Sequence, residues 1–416
     1  MATRSNRRNE IGFGVVEALI IVVVLVLIGL IGWYLYKHHQ KTSHSSSSSS
    51  ASSSSKASTS DIIKPQLSGI INQNGSIPSN YLGAVNGFDL AVKWSSLQPN
   101  SGSELDTSTI DAAISTAQTN HLHIFLNVES GQEAPKWVEN LAVTNGRQGP
   151  LQICDNHDAR STGGTKNHCG LVPHFWESDY QQAYKNLMQQ LAVKYDQNPY
   201  ISEVGIAGCM TVFNEPFVRQ GNDTSNTPYT NVQNYAMAGM TTSGDDACEH
   251  AQIDAMKVWT HTDAYLSFNA YEQWNGNGFT INEDYTESMI KYCRDTLGER
   301  CVLGNESVGN NKPALSVYSC SDMNGANWSK VITMARMYTA IKCAGPPIQL
   351  RSSTPAELTK EGLTLANTIP WVISEGAAGF EPPSGYNNST MPGIYLSTAQ
   401  VKTYNVALAA NARPSQ

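Results

Sequence analysis

Val204 to Phe217 reads VGIAGCMTVFNEPF. Continuous apolarity suits a strand covered on both faces, and Pro216 cannot carry a strand ladder onward. The expected strand is therefore Val204–Phe213, and Asn214-Glu215-Pro216 delivers a carboxylate to its carboxyl end. Working outward, similar short runs precede it at Leu67–Ile71, Gly87–Lys93 and Leu122–Val128. Others follow at Tyr265–Ala270, Cys301–Gly304, Pro347–Leu350 and Pro370–Ser374.

Amphipathic stretches fall between these runs, at Thr107–Thr119, Ser178–Tyr195, Ala247–Thr260, Thr286–Leu297, Trp328–Lys342 and Pro355–Ala366. Thr354-Pro355-Ala356-Glu357 places Pro at the first helical position, and Asp106 and Ser178 supply further capping signals. Strands that alternate with helices predict a parallel sheet. Eight of them predict an α/β fold closed into a (β/α)₈, TIM-like barrel. An open doubly wound sheet would carry a glycine-rich phosphate loop after its first strand, and none is found.

The chain has 416 residues, of which only 15% are charged, and a net charge of −8. That balance excludes a nucleic-acid footprint and a broad basic membrane-binding face. Ala18 to Tyr36 is an uncharged apolar run of nineteen residues, long enough to span most of a ~30 Å hydrocarbon layer. Trp33, Tyr34 and Tyr36 suit its outer interface. A cleaved secretory peptide is the competing reading, but the run is too long and no small-residue cleavage site follows. Ser43 to Ser60 is almost pure serine, a composition that cannot bury enough apolar surface to order itself. The expected organisation is an anchor over 1–42, a disordered Ser-rich linker over 43–63 and a globular domain over 64–416. The anchor makes the membrane a partner, as a single-pass helix with the domain extracytoplasmic at the cell surface.

All eight cysteines lie in the globular part: Cys154, Cys169, Cys209, Cys248, Cys293, Cys301, Cys320 and Cys343. An even number there fits an oxidising compartment. Pairing between sequence neighbours is the working expectation, because short loops close at least entropic cost. Free buried thiols are the alternative. Cys154-x-x-His157 with His168-Cys169 carries a zinc-like ligand set; outside the cell a disulfide closing that loop is preferred, so no metal and no cofactor are expected.

Two resemblances carry the reading further. Gly12-Phe13-Gly14-Val15-Val16-Glu17 resembles the type IV prepilin signal, in which a peptidase cuts after the glycine. Phe13 would then be the first residue and Glu17 the fifth, and a prepilin peptidase and pilus-like machinery would be partners. Nothing downstream resembles a pilin globular domain, and an ordinary anchor with a chance glutamate remains the other reading.

The domain resembles the clan A glycoside hydrolases, especially β-galactosidase-like and cellulase-like barrels. The resemblance rests on Asn214-Glu215-Pro216, on FDLAVKWSSLQP from Phe88 to Pro99, and on LHIFLNVESGQEAPKWV from Leu122 to Val138. It implies that Glu215 is the general acid/base and that Asn214 bonds a sugar hydroxyl. That family places its nucleophile at the end of strand seven, where this chain offers Gln349 and Arg351 but no carboxylate. Glu375 and Glu306 are the contenders, and Glu129 is a further acid after the third strand. Trp94, Trp137, Trp176, Tyr271 and Trp274 lie where aromatic faces can stack on sugars, although plain packing is the commoner use. Arg219 and Asn269 are candidates to orient a hydroxyl. Two functions follow from this: a glycosidase acting on a surface or host glycan, or a non-catalytic carbohydrate-binding adhesin or minor pilin-like display protein.

Overall fold

A computed structural model describes residues 62–414, except 145, 147, 156–167, 222–228 and 310–317. Gly12, Phe13, Glu17, the apolar run Ala18–Tyr36, the whole serine tract and His157 lie outside the described residues. Among the described residues no helix is long and apolar enough to cross a membrane.

Eight parallel strands close into a barrel. In chain order they are β1 (Gly69–Asn72), β2 (Gly87–Lys93), β3 (His123–Glu129), β6 (Ile201–Gly205), β7 (Asp263–Ser267), β10 (Cys301–Val308), β11 (Ile348–Ser352) and β12 (Gly379–Glu381). Each pairs with the next, and β12 returns to β1 through Gly379 opposite Gly69. Two antiparallel hairpins are added to this frame, β4 (Leu151–Asp155) with β5 (His168–Val172), and β8 (Tyr271–Trp274) with β9 (Phe279–Asn282). The principal helices are α1 (Ser108–Asn120), α2 (Ser178–Tyr195), α3 (Asn231–Met237), α4 (Thr242–Ala255), α5 (Glu283–Leu297), α6 (Thr333–Ala344), α7 (Pro355–Lys360), α8 (Leu365–Ser374) and α9 (Thr398–Ala409).

The two-residue strand period sorts side chains between two cores. Outward positions such as Leu126, Leu266, Leu303 and Leu350 join the main cluster beneath the helices. Inward positions form a smaller cluster of Leu67, Ile71, Phe125, Tyr265 and Val302, with Phe125 edge-on to Tyr265 at 4.9 Å. On β10 the inward set is Val302, Gly304 and Glu306. Gly304 is required there, because a Cβ would fall inside the Tyr265 ring.

Two expected strands need correction. The fourth is Ile201–Gly205, and Ile206–Phe213 is an irregular connection rather than its continuation. Pro370–Ser374 is the last part of helix α8, not a strand. Leu365, Thr368, Ile369 and Val372 are its buried residues, a helical spacing that outweighs Pro370. The true eighth strand, β12, has only three residues.

Four disulfides join Cys154 to Cys169, Cys209 to Cys248, Cys293 to Cys301 and Cys320 to Cys343. Each links neighbours in cysteine order, and Cys154–Cys169 bridges directly opposed positions of the β4–β5 hairpin. These two cysteines are therefore not available as metal ligands.

Candidate active site

Toward the carboxyl side of the barrel the interior becomes acidic. Asp89 of β2, Glu306 of β10 and Glu381 of β12 surround a single guanidinium, Arg351 of β11. Arg351 lies 3.4 Å from Asp89, 3.2 Å from Glu306 and 3.9 Å from Glu381. Closure of the barrel makes this possible: β11 lies beside both β10 and β12, and β1 alone separates β12 from β2. Asn127 of β3 donates to Asp89 at 2.7 Å. A Cβ on Gly205 would overlap the Asn127 amide, so the glycine at the end of β6 makes room for that contact.

Glu215 reaches the same mouth from the connection after β6. Asn269, just past β7, donates to its Oε1 at 2.9 Å. Asn305 donates to the Asn269 side-chain oxygen at 3.3 Å and accepts from Tyr338 at 2.6 Å. A chain of three polar side chains therefore fixes the amide that holds Glu215.

One cation among so many buried acids cannot keep all of them ionised. Burial pushes Glu306 up to about 8; Arg351 opposes this, while Glu215 and Asp89 add to it. Burial likewise raises Asp89 and carries Glu381 well above the carboxylate range, both against the pull of Arg351. Glu129, at the end of β3, is raised by burial and then by Glu133. At neutral pH, Glu306 therefore holds a proton while facing the field of Glu215. Its Oε1 is buried and accepts no hydrogen bond among the described residues.

Several expected site residues lie elsewhere. Glu375 caps the end of α8, before β12 begins, and pairs with Lys342 at 2.9 Å. That is the amino-end side of the barrel, away from the mouth, so Glu375 is no partner for Glu215. Arg219 is fully buried, bonded to Asp245 at 2.9 Å and Glu249 at 2.5 Å. Tyr271 is also fully buried and donates to Asp245 at 2.5 Å. Both are structural and cannot meet a sugar. Trp94 is fully buried, and Trp176 and Trp274 are nearly so. Trp137 is half-buried, packs edge-on to Trp94 and donates its indole N–H to the Gln98 carbonyl. None of these aromatics is an open platform.

Glu215, Asn269 and Glu306 do stand together with the mouth groups, and Asn214 precedes Glu215 with its Oδ1 buried and accepting no hydrogen bond among the described residues. Asp89 and Glu381 were missed. Asp89 sits mid-strand in an apolar run and Glu381 ends a strand too short to recognise, although the two-residue period of β2 places Asp89 inward.

No protein-family model matches the chain. No curated protein matches it either. Among solved structures, the catalytic domain of β-amylase from Paenibacillus polymyxa is similar at 11% identity and TM-score 0.47, over 85% of this chain and 100% of that one. A β-galactosidase from the psychrophilic Marinomonas ef1 is similar at 9% identity and TM-score 0.41, over 82% of this chain and 59% of that one. D-psicose 3-epimerase from Clostridium cellulolyticum H10 is similar at 11% identity and TM-score 0.35, over 82% of this chain and 96% of that one. At these identities the likeness concerns the barrel fold alone.

Proposed function

We propose that the chain is a membrane-anchored, extracytoplasmic glycosidase-like protein that hydrolyses O-glycosidic bonds of a surface or host glycan. The observation that carries this reading is the pairing of Glu306, protonated at neutral pH, with Glu215 at one barrel mouth. Glycoside cleavage needs one carboxyl group to protonate the leaving oxygen and another to attack carbon or activate water. The resemblance to clan A hydrolases implies the general acid/base role for Glu215. The electrostatics favour Glu306 as the proton donor and Glu215, oriented by Asn269, as the second carboxyl group. Arg351 then keeps Glu306 from rising so high that it cannot give up its proton. The prepilin-like Gly12-Phe13 junction and the apolar run after it support anchoring outside the cytoplasm, as do the four disulfides.

The test is turnover of chromogenic glycosides by the full-length chain beside Glu306→Gln and Glu215→Gln. Each substitution is expected to lower kcat by at least about 100-fold, the scale of general acid catalysis. Turnover by either variant equal to wild type removes that residue from the mechanism. For the anchor, mass spectrometry of the native protein should find an N-terminus at methylated Phe13; an uncut chain rejects the prepilin-type processing.

One observation favours a second reading, carbohydrate binding without cleavage. Arg351 occupies the end of the seventh barrel strand and ties up Glu306. Saccharide binding that survives in wild type with no turnover of any glycoside would select this reading.

A further inference from the structure

We propose that a second site lies at the amino-end opening of the barrel, a cleft that holds a small ligand by its oxyanion. The oxyanion is the carboxylate or phosphate of a molecule about the size of one sugar ring. This cleft is separate from the acidic mouth, which stands at the other end of the strands. Its volume is about 310 Å³, and Gln66, Ser68, Asn86, His121, His123 and Ser202 line it. Small-molecule sites occupy roughly 300–1,000 Å³, so the cleft suits a ligand of one ring. Gln66 and Ser68 precede β1, Asn86 precedes β2, His123 opens β3 and Ser202 is the second residue of β6. Four neighbouring strands therefore begin around it.

The first support is an unused donor. Gln66 is 7% exposed. Its Oε1 accepts from the Arg413 backbone N–H at 2.9 Å, which fixes which end of the amide is oxygen. Nε2 is left buried, with no acceptor among the described residues. A buried donor without an acceptor costs free energy that a ligand oxygen would relieve. His121, exposed at the rim, and Ser68 can add donors beside it. Ser202 is paired with the His123 ring at 2.9 Å.

The second support is charge. None of the lining residues is acidic. Around this end of the barrel Lys64, Arg294, Arg300 and Arg413 meet Asp196, Asp263 and Glu299. Burial pushes Lys64 down to about 8 and Arg294 down to about 10, and the nearby acids do not restore them. These cations lack sufficient counter-charge. Lys64 Nζ donates to the Ile201 carbonyl and the Thr262 hydroxyl, beside Ser202, and its field reaches His123. An anion in the cleft supplies both the missing charge and the acceptor that Gln66 lacks. A neutral sugar supplies only the acceptor, and an ammonium supplies neither.

The experiment is titration calorimetry of the full-length chain with glucuronate, glucose 6-phosphate and glucose. Both anions are expected to bind at least about 10-fold tighter than glucose, because charge-assisted hydrogen bonds exceed neutral ones. The advantage should shrink at high salt. Whichever anion binds tighter distinguishes carboxylate from phosphate. Gln66→Glu keeps an acceptor for Arg413 and puts a carboxylate oxygen where the free donor stood; it should weaken anion binding at least about 10-fold. His121→Ala, on the exposed rim, should weaken it too, and serves if Gln66→Glu does not fold. Equal affinities for the three ligands, no binding of any, or anion binding untouched by both substitutions would overturn the inference. Glycoside turnover enters none of these measurements, so the glycosidase reading can fail while this one stands, and the reverse.

Discussion

Glu306 illustrates how a residue takes its role from neighbours it meets only after folding. Burial raises it to about 8, Arg351 pulls it down, and Glu215 and Asp89 push it up. If Glu306 is the acid, its proton is held below about pH 8 and lost above it, so kcat/KM should decline on the alkaline side of that value. Removing Arg351 deletes the stabiliser of the carboxylate, and Arg351→Gln should move the alkaline limb upward. Asp89→Asn removes a repelling charge and should move it downward. A pH–rate profile for each variant checks the pair of opposite shifts, and a limb that stays put in both would exclude Glu306 as the titrating acid. Sequence reading reached Glu215, Asn214, Asn269 and Glu306 because each follows an apolar strand. It could not couple Asp89, Arg351 and Glu381, since barrel closure brings together positions far apart in the chain.

Among the elements, the irregular connection Ile206–Gly221 matters most, because it carries Glu215 without regular backbone hydrogen bonding to hold it. Its rigidity comes from side chains. Cys209 is bonded to Cys248 of α4, and Arg219 reaches Asp245 and Glu249 of the same helix. Thr211 bonds Gln220 across the connection. Asp245→Ala would leave the fully buried Arg219 with one acid partner instead of two and Tyr271 without its acceptor. Breaking a buried pair in this way costs about 3 kcal/mol. The domain should unfold at correspondingly lower denaturant, and Glu215 should lose its fixed position, lowering kcat in the protein that stays folded. A variant with wild-type stability would show that the ion network does not hold this connection. Arg219 illustrates why such a role was illegible: a loop arginine reads as a solvent or substrate group until its burial is known. The eighth strand failed for a different reason. Pro370 in an apolar run suggested a strand start, whereas the helical spacing of Leu365, Ile369 and Val372 governs the fold. Three residues of β12 carry too little pattern to compete.

For the whole molecule, the unusual feature is how many carboxyl groups are held in their protonated form by burial. Asp263 is raised to about 7 by burial, even though Arg413 lies 3.1 Å away at the amino ends of the strands. Glu249 is raised to about 8 by burial despite Arg219, Glu306 also to about 8, and Glu203 well above its ordinary value. Each binds its proton more tightly folded than unfolded. Its stabilising effect is thus complete below the ordinary carboxylate pKa and is lost as pH rises through the folded value. A few acids run the other way: Asp196 is lowered because N–H donors at Thr260, His261 and Thr262 outweigh its burial, so its contribution is lost only as pH falls into the acid range. Lys64 is lowered to about 8 by burial, so stability returns from this group as pH rises beyond that value. The balance places maximum stability near pH 5, with a decline toward pH 8 that flattens above it. Each pKa unit is about 1.4 kcal/mol, so the decline should reach several kcal/mol even after neighbouring charges offset one another. Thermal unfolding at constant ionic strength should show Tm falling by several degrees from pH 5 to pH 8. Asp263→Asn, which cannot titrate, should flatten the part of the profile between about pH 4 and 7. A Tm that climbs toward pH 8 would mean that these acids are ionised in the folded chain. The polar barrel interior would then be solvated, and the proton on Glu306, on which the catalytic reading depends, would be absent.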